Sequence, residues 1–419
     1  MAEYFSPRNR ELHAEDVPLS KIAADFGTPL FVYSKAALVA GYRELDAALN
    51  GTPHLICYAL KANSNLAILN LFARLGAGFD IVSGGELSRV LAAGGDPAKV
   101  VFSGVGKSSA ELRQALAARV LCFNVESESE LLRLDRIAGE MGRKAPVSFR
   151  VNPDVDAKTH AYIATGLRDN KFGIPFDVAL ALYRKAREMR NVQLTGIDCH
   201  IGSQITEVTP LLEAFEKMLG LADQLANEGI RLAHIDAGGG LGIRYGTEMP
   251  PTIEQYAGAL VKAMRGRGEK LVVEPGRLLV GNAGVLLTRV EYLKPTPSKN
   301  FAIVDAAMND LIRPALYGAF QEIRVVVDEP LQPALYDVVG PVCESADFLG
   351  KDRVLALREN SLLAIMSCGA YGSVMSSNYN SRGRAAEVLV DGAKTHLISR
   401  REAPSELFDR EQIIESLKL

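Results

Sequence analysis

The 419 residues carry 47 Lys and Arg against 50 Asp and Glu, a net charge of −3, with 48% hydrophobic and 23% charged residues. That balance points to neither nucleic acid nor an anionic membrane as a partner, and no stretch approaches the roughly 20 apolar residues that cross a bilayer. The length exceeds what one core usually serves, so two domains are expected.

Met1–Arg8 lacks the basic-then-apolar pattern of a signal peptide. Cys57, Cys122, Cys199, Cys343 and Cys368 show no CxxC spacing. A reducing, cytoplasmic setting without structural zinc or another metal is the expectation. Residues 1–34 read as an N-terminal arm, whose Thr28–Tyr33 stretch is expected to add a strand to a later β domain. Residues 35–277 alternate short apolar runs with amphipathic helical stretches. The runs centre on Leu55–Leu60, Phe79–Val82, Val100–Phe102, Val120–Val125, Val147–Val151, Leu194–Cys199, Leu232–Ile235 and Leu271–Val273.

Between these runs, Ser108-x-x-Glu111 and Ser127-x-x-Glu130 read as capping boxes, and Gly76 as a left-handed C-cap. Leu87, Val90 and Leu91 have the spacing of a helix packed on a sheet. Eight β/α units over ~250 residues fit a (β/α)8 TIM barrel. A doubly wound sheet would normally bring a glycine-rich turn after its first strand, and none is present. Residues 278–419 change pattern. Val285–Tyr292, Phe301–Val304, Ile323–Val327, Val354–Leu355, Leu362–Met366 and Ala386–Val390 read as strands of a mostly antiparallel β domain. Helical periodicity returns only at Ser405–Leu419.

In a barrel, chemical groups belong at the C-terminal strand ends. Lys61, Asp80, Ser83, Arg150, Asn152, His200, Ser203, Gly238-Gly239-Gly240, Glu274 and Arg277 all follow apolar runs. Lys61 closes the run His54–Leu60, where a lysine must be paired, shifted in pKa or covalently engaged, unless it snorkels into water. An amine held there suits Schiff-base chemistry with a carbonyl. The run Asp236–Gly242 fits a phosphate cradle and equally a tight βα turn. Glu274-Pro275-Gly276-Arg277 offers a carboxylate that can keep a pyridine nitrogen protonated, or a plain Glu–Arg pair. His200 suits stacking on a planar ring, Ser203 a phosphate hydrogen bond. Gly106-Lys107-Ser108 is not a P-loop, because the pattern needs glycine where Val101 stands.

Tyr58–Asn63, His200–Gln204, Gly238–Gly242 and Glu274–Arg277, in this order, closely resemble the alanine-racemase-like, fold-type III decarboxylases that use pyridoxal 5'-phosphate (PLP). Met308–Tyr317, Gly340–Asp347 and Gly369–Gly372 are similar to the branch acting on meso-2,6-diaminopimelate, so the resemblance covers nearly the whole chain. Asn170 and Gln321 depart from residues frequent in that family. The resemblance implies that Lys61 carries PLP, with Asp80, His200, Ser203, Gly238, Gly239, Gly240, Glu274, Gly276, Arg277 and Tyr371 around it. It makes Cys343 the acid that protonates Cα, donated across a homodimer interface. Arg277, Arg313, Tyr317, Glu344 and Tyr371 then select the substrate. A cation on the departing carboxylate would oppose its loss, so the arginines fit a distal carboxylate better. The expected activity is decarboxylation of meso-diaminopimelate to L-lysine and CO2, the last step of lysine biosynthesis. An ornithine or arginine decarboxylase would share the cofactor site and differ in the distal pocket. A dead regulatory homologue would have lost Lys61 or Cys343.

Overall fold

The computed structural model describes residues 4–156 and 170–414. The chain divides into two compact units, Val39–Val280 and a second made of Met1–Leu38 with Gly281–Leu419. The first unit is a closed barrel of eight parallel strands: β1 His54–Ala59, β2 Gly78–Ile81, β3 Val100–Phe102, β4 Cys122–Val125, β5 Ala145–Asn152, β6 Val192–Asp198, β7 His234–Asp236 and β8 Lys270–Val273. They pair in sequence, and β8 returns to β1 through Leu271↔His54, Val272↔Leu55 and Val273↔Ile56. These are the eight apolar runs. Parallel strands covered on both faces read as continuous hydrophobic stretches, which is why composition alone locates them.

The punctuation between strands follows local chemistry. Ser108 and Glu111 form a complete capping box at the helix Ser109–Ala118. The second expected box is half made. Ser127 accepts from the Glu130 N–H, but the Glu130 carboxylate instead takes the Glu126 N–H and the Lys107 ammonium. Gly76 follows the helix Leu66–Arg74 with φ +94°. On the helix Gly84–Ala92, Leu87 and Val90 are buried but Leu91 is exposed, so the packed stripe is narrower than the spacing suggested.

The second unit is mostly antiparallel. Its main sheet runs Phe348–Leu355, Ala334–Val339, Asn300–Val304, Gly284–Pro295, Leu30–Ser34, Ala386–Asp391, Lys394–Ser399. Leu30–Ser34 from the N-terminal arm pairs antiparallel with Gly284–Pro295 and parallel with Ala386–Asp391. Leu30, Val32, Val285, Leu287, Val388 and Val390 form its core with Leu19 and Ile22. Two strands of this main sheet escaped the sequence reading, as did the small sheet Phe5–Arg8, Glu11–Ala14 and Val17–Pro18. Ala334–Val339 contains Asp337, whose buried carboxylate is taken up by Lys299 and the Asp352 N–H. Lys394–Ser399 is a polar edge strand, where charge guards against further pairing. The C-terminal helical expectation fails over its described part. Pro404–Leu407 is one 3-10 turn, nothing helical follows to Ile414, and Ile413 is 92% exposed. A periodic apolar face that packs on nothing does not sustain a helix.

Candidate functional site

Strand β1 ends in a 3-10 turn, Leu60–Ala62, with Lys61 at its centre. The ammonium donates to Asp80 Oδ2 at 2.9 Å. The side chain of Lys61 keeps 37% of its surface exposed, whereas that of Asp80 has none. The burial cost expected for the lysine therefore falls on the aspartate, and the ion pair answers it. Asp80 lies inside β2 rather than after it. The Ala59 N–H donates to the Pro275 carbonyl at 3.1 Å, drawing the Glu274–Arg277 segment against this turn. Gly276 permits the approach: a Cβ there would stand 3.2 Å from Ala62 Cβ and 3.3 Å from Ala59 Cβ.

Three strand ends converge in one buried carboxylate cluster. Asp198 closes β6, Asp236 closes β7 and Glu274 follows β8, each bringing an oxygen within 4.8 Å of the others. Burial first, then Asp236, Asp80 and Asp198, push the Glu274 carboxyl well above its usual range, against the pull of Lys61. Burial, then the Asp80 charge, pushes Asp236 up to about 7, against the Gly238 N–H that its Oδ1 accepts. Like charges this close in a dry site cannot all ionise, so the cluster retains a proton at neutral pH. Asp198 and Asp236 were not singled out as site residues. The signal was present, since each is an acid at the edge of an otherwise apolar run.

The glycine run divides its labour. The Gly238 N–H donates to Asp236 Oδ1 at 2.8 Å and the Gly239 N–H to His200 Nδ1 at 3.2 Å. Side chains are excluded: a Cβ would lie 2.2 Å from the Cys199 carbonyl oxygen at Gly238, 2.1 Å from that of Glu274 at Gly239 and 2.4 Å from that of Gly202 at Gly240. Of the three N–H groups, only that of Gly240 has no hydrogen-bond partner among the described residues. The tight-turn reading thus accounts for the Gly238 and Gly239 N–H groups. Beside it, buried Arg277 donates to Ser203 Oγ at 3.1 Å and to the hydroxyl of Tyr245, a partner the sequence did not suggest. Burial of the His200 ring, then the charges of Lys61 and Arg150, hold its pKa well below the usual value. Arg150 reaches the His200 carbonyl at 3.4 Å and Glu126 at 3.5 Å. Lys107 is fully buried and donates to Glu130, Gly104 O and Asn124 O, a structural role that agrees with rejecting a phosphate loop.

In the second unit, Arg313 is buried at the start of the short helix Arg313–Tyr317, and its charge acts on the buried thiol of Cys368. Tyr317 ends that helix and is half-buried. Cys343 and Glu344 are exposed on a loop held by Asp347, which accepts the Met308 N–H at 2.7 Å and the Val342 N–H at 2.8 Å. Two neighbours that the sequence reading passed over steady this loop. Asn380 Oδ1 accepts the Cys343 N–H at 2.8 Å, and the Tyr379 hydroxyl donates to Glu344 Oε2 at 3.4 Å. Tyr371 adopts φ +56°, a strained conformation for a non-glycine residue. Gln321 is fully buried, and its amide donates to the Met366 and Ser367 carbonyls.

The (β/α)8 barrel thus carries a carboxylate-held lysine at one strand end and buried carboxyls of raised pKa at others. Residues 35–281 match the family model described as pyridoxal-dependent decarboxylase, pyridoxal binding domain. The chain is 61% identical over 410 residues to the diaminopimelate decarboxylase of Pseudomonas aeruginosa, covering 98% of this chain and 99% of the relative. It is 58% identical over 414 residues to that of Vibrio cholerae, covering 98% and 99%. The crystal structure of the Helicobacter pylori diaminopimelate decarboxylase complexed with L-lysine superposes with a TM-score of 0.91 at 42% identity, covering 94% of this chain and 99% of that one. This chain belongs to the diaminopimelate decarboxylase family.

Proposed function

We propose that this protein decarboxylates meso-diaminopimelate to L-lysine and CO2 with PLP as cofactor, as the last step of lysine biosynthesis. The observation that carries the reading is the array at the barrel's strand ends, with Lys61 after β1, His200 after β6, and Glu274 and Arg277 after β8. The residues fit the cofactor. Lys61 offers an amine, Gly240 an N–H and Glu274 a buried Oε1 that have no hydrogen-bond partner among the described residues, and Ser203 and Arg277 polar groups for a phosphate. Gly238 and Gly239 shape that cradle, Gly276 lets it close on the lysine turn, and Tyr371 completes the binding set. When bound, PLP supplies the sink for the electron pair left on Cα as CO2 departs.

The chain's own residues do the rest. Lys61 anchors the cofactor, and Asp80 holds the ammonium in place beforehand. Glu274 sits in a cluster that retains a proton, so it can furnish and then face a protonated ring nitrogen. His200 presents a neutral ring. Cys343 delivers a proton to Cα. Arg313, with Tyr317 and Arg277, receives the distal carboxylate, and Glu344 the distal ammonium. The lysine held by the H. pylori relative has the chemistry of the expected product. We further propose a cytoplasmic homodimer with active sites at its interface. Five cysteines without a disulfide and no described helix apolar enough to cross a membrane agree with that setting.

Purified protein given PLP should gain the absorption of a lysine-bound pyridoxal, which Lys61→Ala should abolish. Lysine should then form from meso-diaminopimelate and not from ornithine or arginine. Turnover of ornithine would overturn the substrate assignment while leaving the cofactor assignment in place.

A further inference from the structure

The Gly238–Gly239 turn joins three strand ends, and the Asp236 side chain holds it. Asp236 is fully buried, and its Oδ1 accepts the Gly238 N–H at 2.8 Å. The Gly238 carbonyl accepts the Glu274 N–H at 2.8 Å, and the next N–H along, that of Gly239, donates to His200 Nδ1 at 3.2 Å. The Asp236 carbonyl in turn accepts the Cys199 N–H at 3.3 Å, beside His200. An imidazole nitrogen that accepts a hydrogen bond carries no proton, so a neutral His200 must be protonated on Nε2.

We infer that Asp236 is a positioning residue for the cofactor site: by anchoring the Gly238–Gly239 turn it aims the Gly239 N–H at His200 and fixes that ring as the neutral Nε2–H tautomer. The same anchor sets the main chain of Glu274, so one buried carboxylate registers the ring that faces the cofactor against the carboxyl that faces its nitrogen. The inference rests on the proposed function for what His200 and Glu274 face. The tautomer itself is a property of the protein before any cofactor or substrate is added. Asp236 works here as a hydrogen-bond acceptor, a role that an asparagine oxygen can fill.

The test is long-range proton–nitrogen NMR of full-length protein labelled with [15N]histidine, free of cofactor and then loaded with PLP. The sequence has six histidines, and His200 is assigned by the signal missing from His200→Asn. Wild type should show the Nε2–H pattern at His200. Asp236→Asn should keep that pattern and bind PLP within about threefold of wild type. Asp236→Ala should lose the single tautomer and bind PLP about tenfold more weakly, the effect of one hydrogen bond. A wild-type His200 protonated on Nδ1, or an Asp236→Ala protein that keeps the Nε2–H tautomer, overturns the inference. Should Asp236→Ala fail to fold, the wild-type spectrum and Asp236→Asn decide, and an asparagine variant that loses the tautomer refutes it. Failure of the substrate assignment would appear only in turnover and leave these spectra unchanged.

Discussion

Replacing Lys107 by methionine should strip the barrel of a buried cation without changing its shape much. Its ammonium donates to Gly104 O at 2.7 Å, Asn124 O at 2.8 Å and Glu130 Oε1 at 2.7 Å. The Lys107 side chain is 0% exposed and that of Glu130 only 8%, so neither charge has water to fall back on. Lys107→Met leaves the Glu130 carboxylate buried with the Glu126 N–H, at 2.9 Å, as a remaining donor. Breaking one side of such a pair costs about 3–5 kcal/mol, which for a unit of this size lowers the thermal midpoint by roughly 6–20 °C. Calorimetry on the single variant reads this directly. The double variant Lys107→Met/Glu130→Met removes both charges and should regain most of the loss, because an apolar pair tolerates burial. A fall of less than about 2 °C for the single variant would refute the reasoning.

Burial, helped by Lys270, depresses the pKa of His234 to about 4. The unfolded chain therefore binds a proton near pH 6.5 that the folded chain takes up only near 4. The resulting stability is fully present above pH 6.5 and is lost as pH falls through that window, by about 3 kcal/mol in total. Urea unfolding of wild type and His234→Gln should show their stability difference shrinking toward acid, and a difference independent of pH would contradict it. Arg313→Leu should cut kcat/KM for meso-diaminopimelate at least ~10²-fold by leaving a distal carboxylate unpaired, while PLP absorbance is retained. Equal loss of PLP would show that Arg313 serves the fold instead. Cys343→Ala should lower kcat with little change in KM, because the thiol acts after binding, and unchanged turnover would move proton delivery to another group.

The barrel was legible because its strands are covered on both faces, so eight apolar runs stand out without any alternation to interpret. The candidate site could be drawn from the sequence where a polar residue follows such a run directly, as at Lys61, His200 and Glu274, each of which the structure places just past a strand. It was less legible at acids that stand in the last position of a strand. Asp198 and Asp236 look like strand residues, and only closure of β6, β7 and β8 into one wall brings their oxygens together. Tyr379 and Asn380 were invisible for a different reason. Their contacts with Glu344 and Cys343 span 35 and 37 residues, a distance no local pattern encodes. In the glycine motif, two of the N–H groups serve Asp236 and His200, partners that the run of glycines does not announce. Exposed Leu91 and the failed C-terminal helix show that apolar spacing predicts a buried face only where another element comes to cover it.

The proposed activity requires that the distal group of the substrate be recognised as both carboxylate and ammonium. The most direct measurement is the ratio of kcat/KM for meso-diaminopimelate over ornithine in the PLP-loaded enzyme, with lysine and CO2 quantified together. A site built to bond a distal carboxylate leaves buried polar groups unpaired when that carboxylate is missing, so the ratio should reach at least ~10³. A ratio near or below one would contradict the claim, because it would mean that Arg313 and Glu344 do not read that end of the substrate.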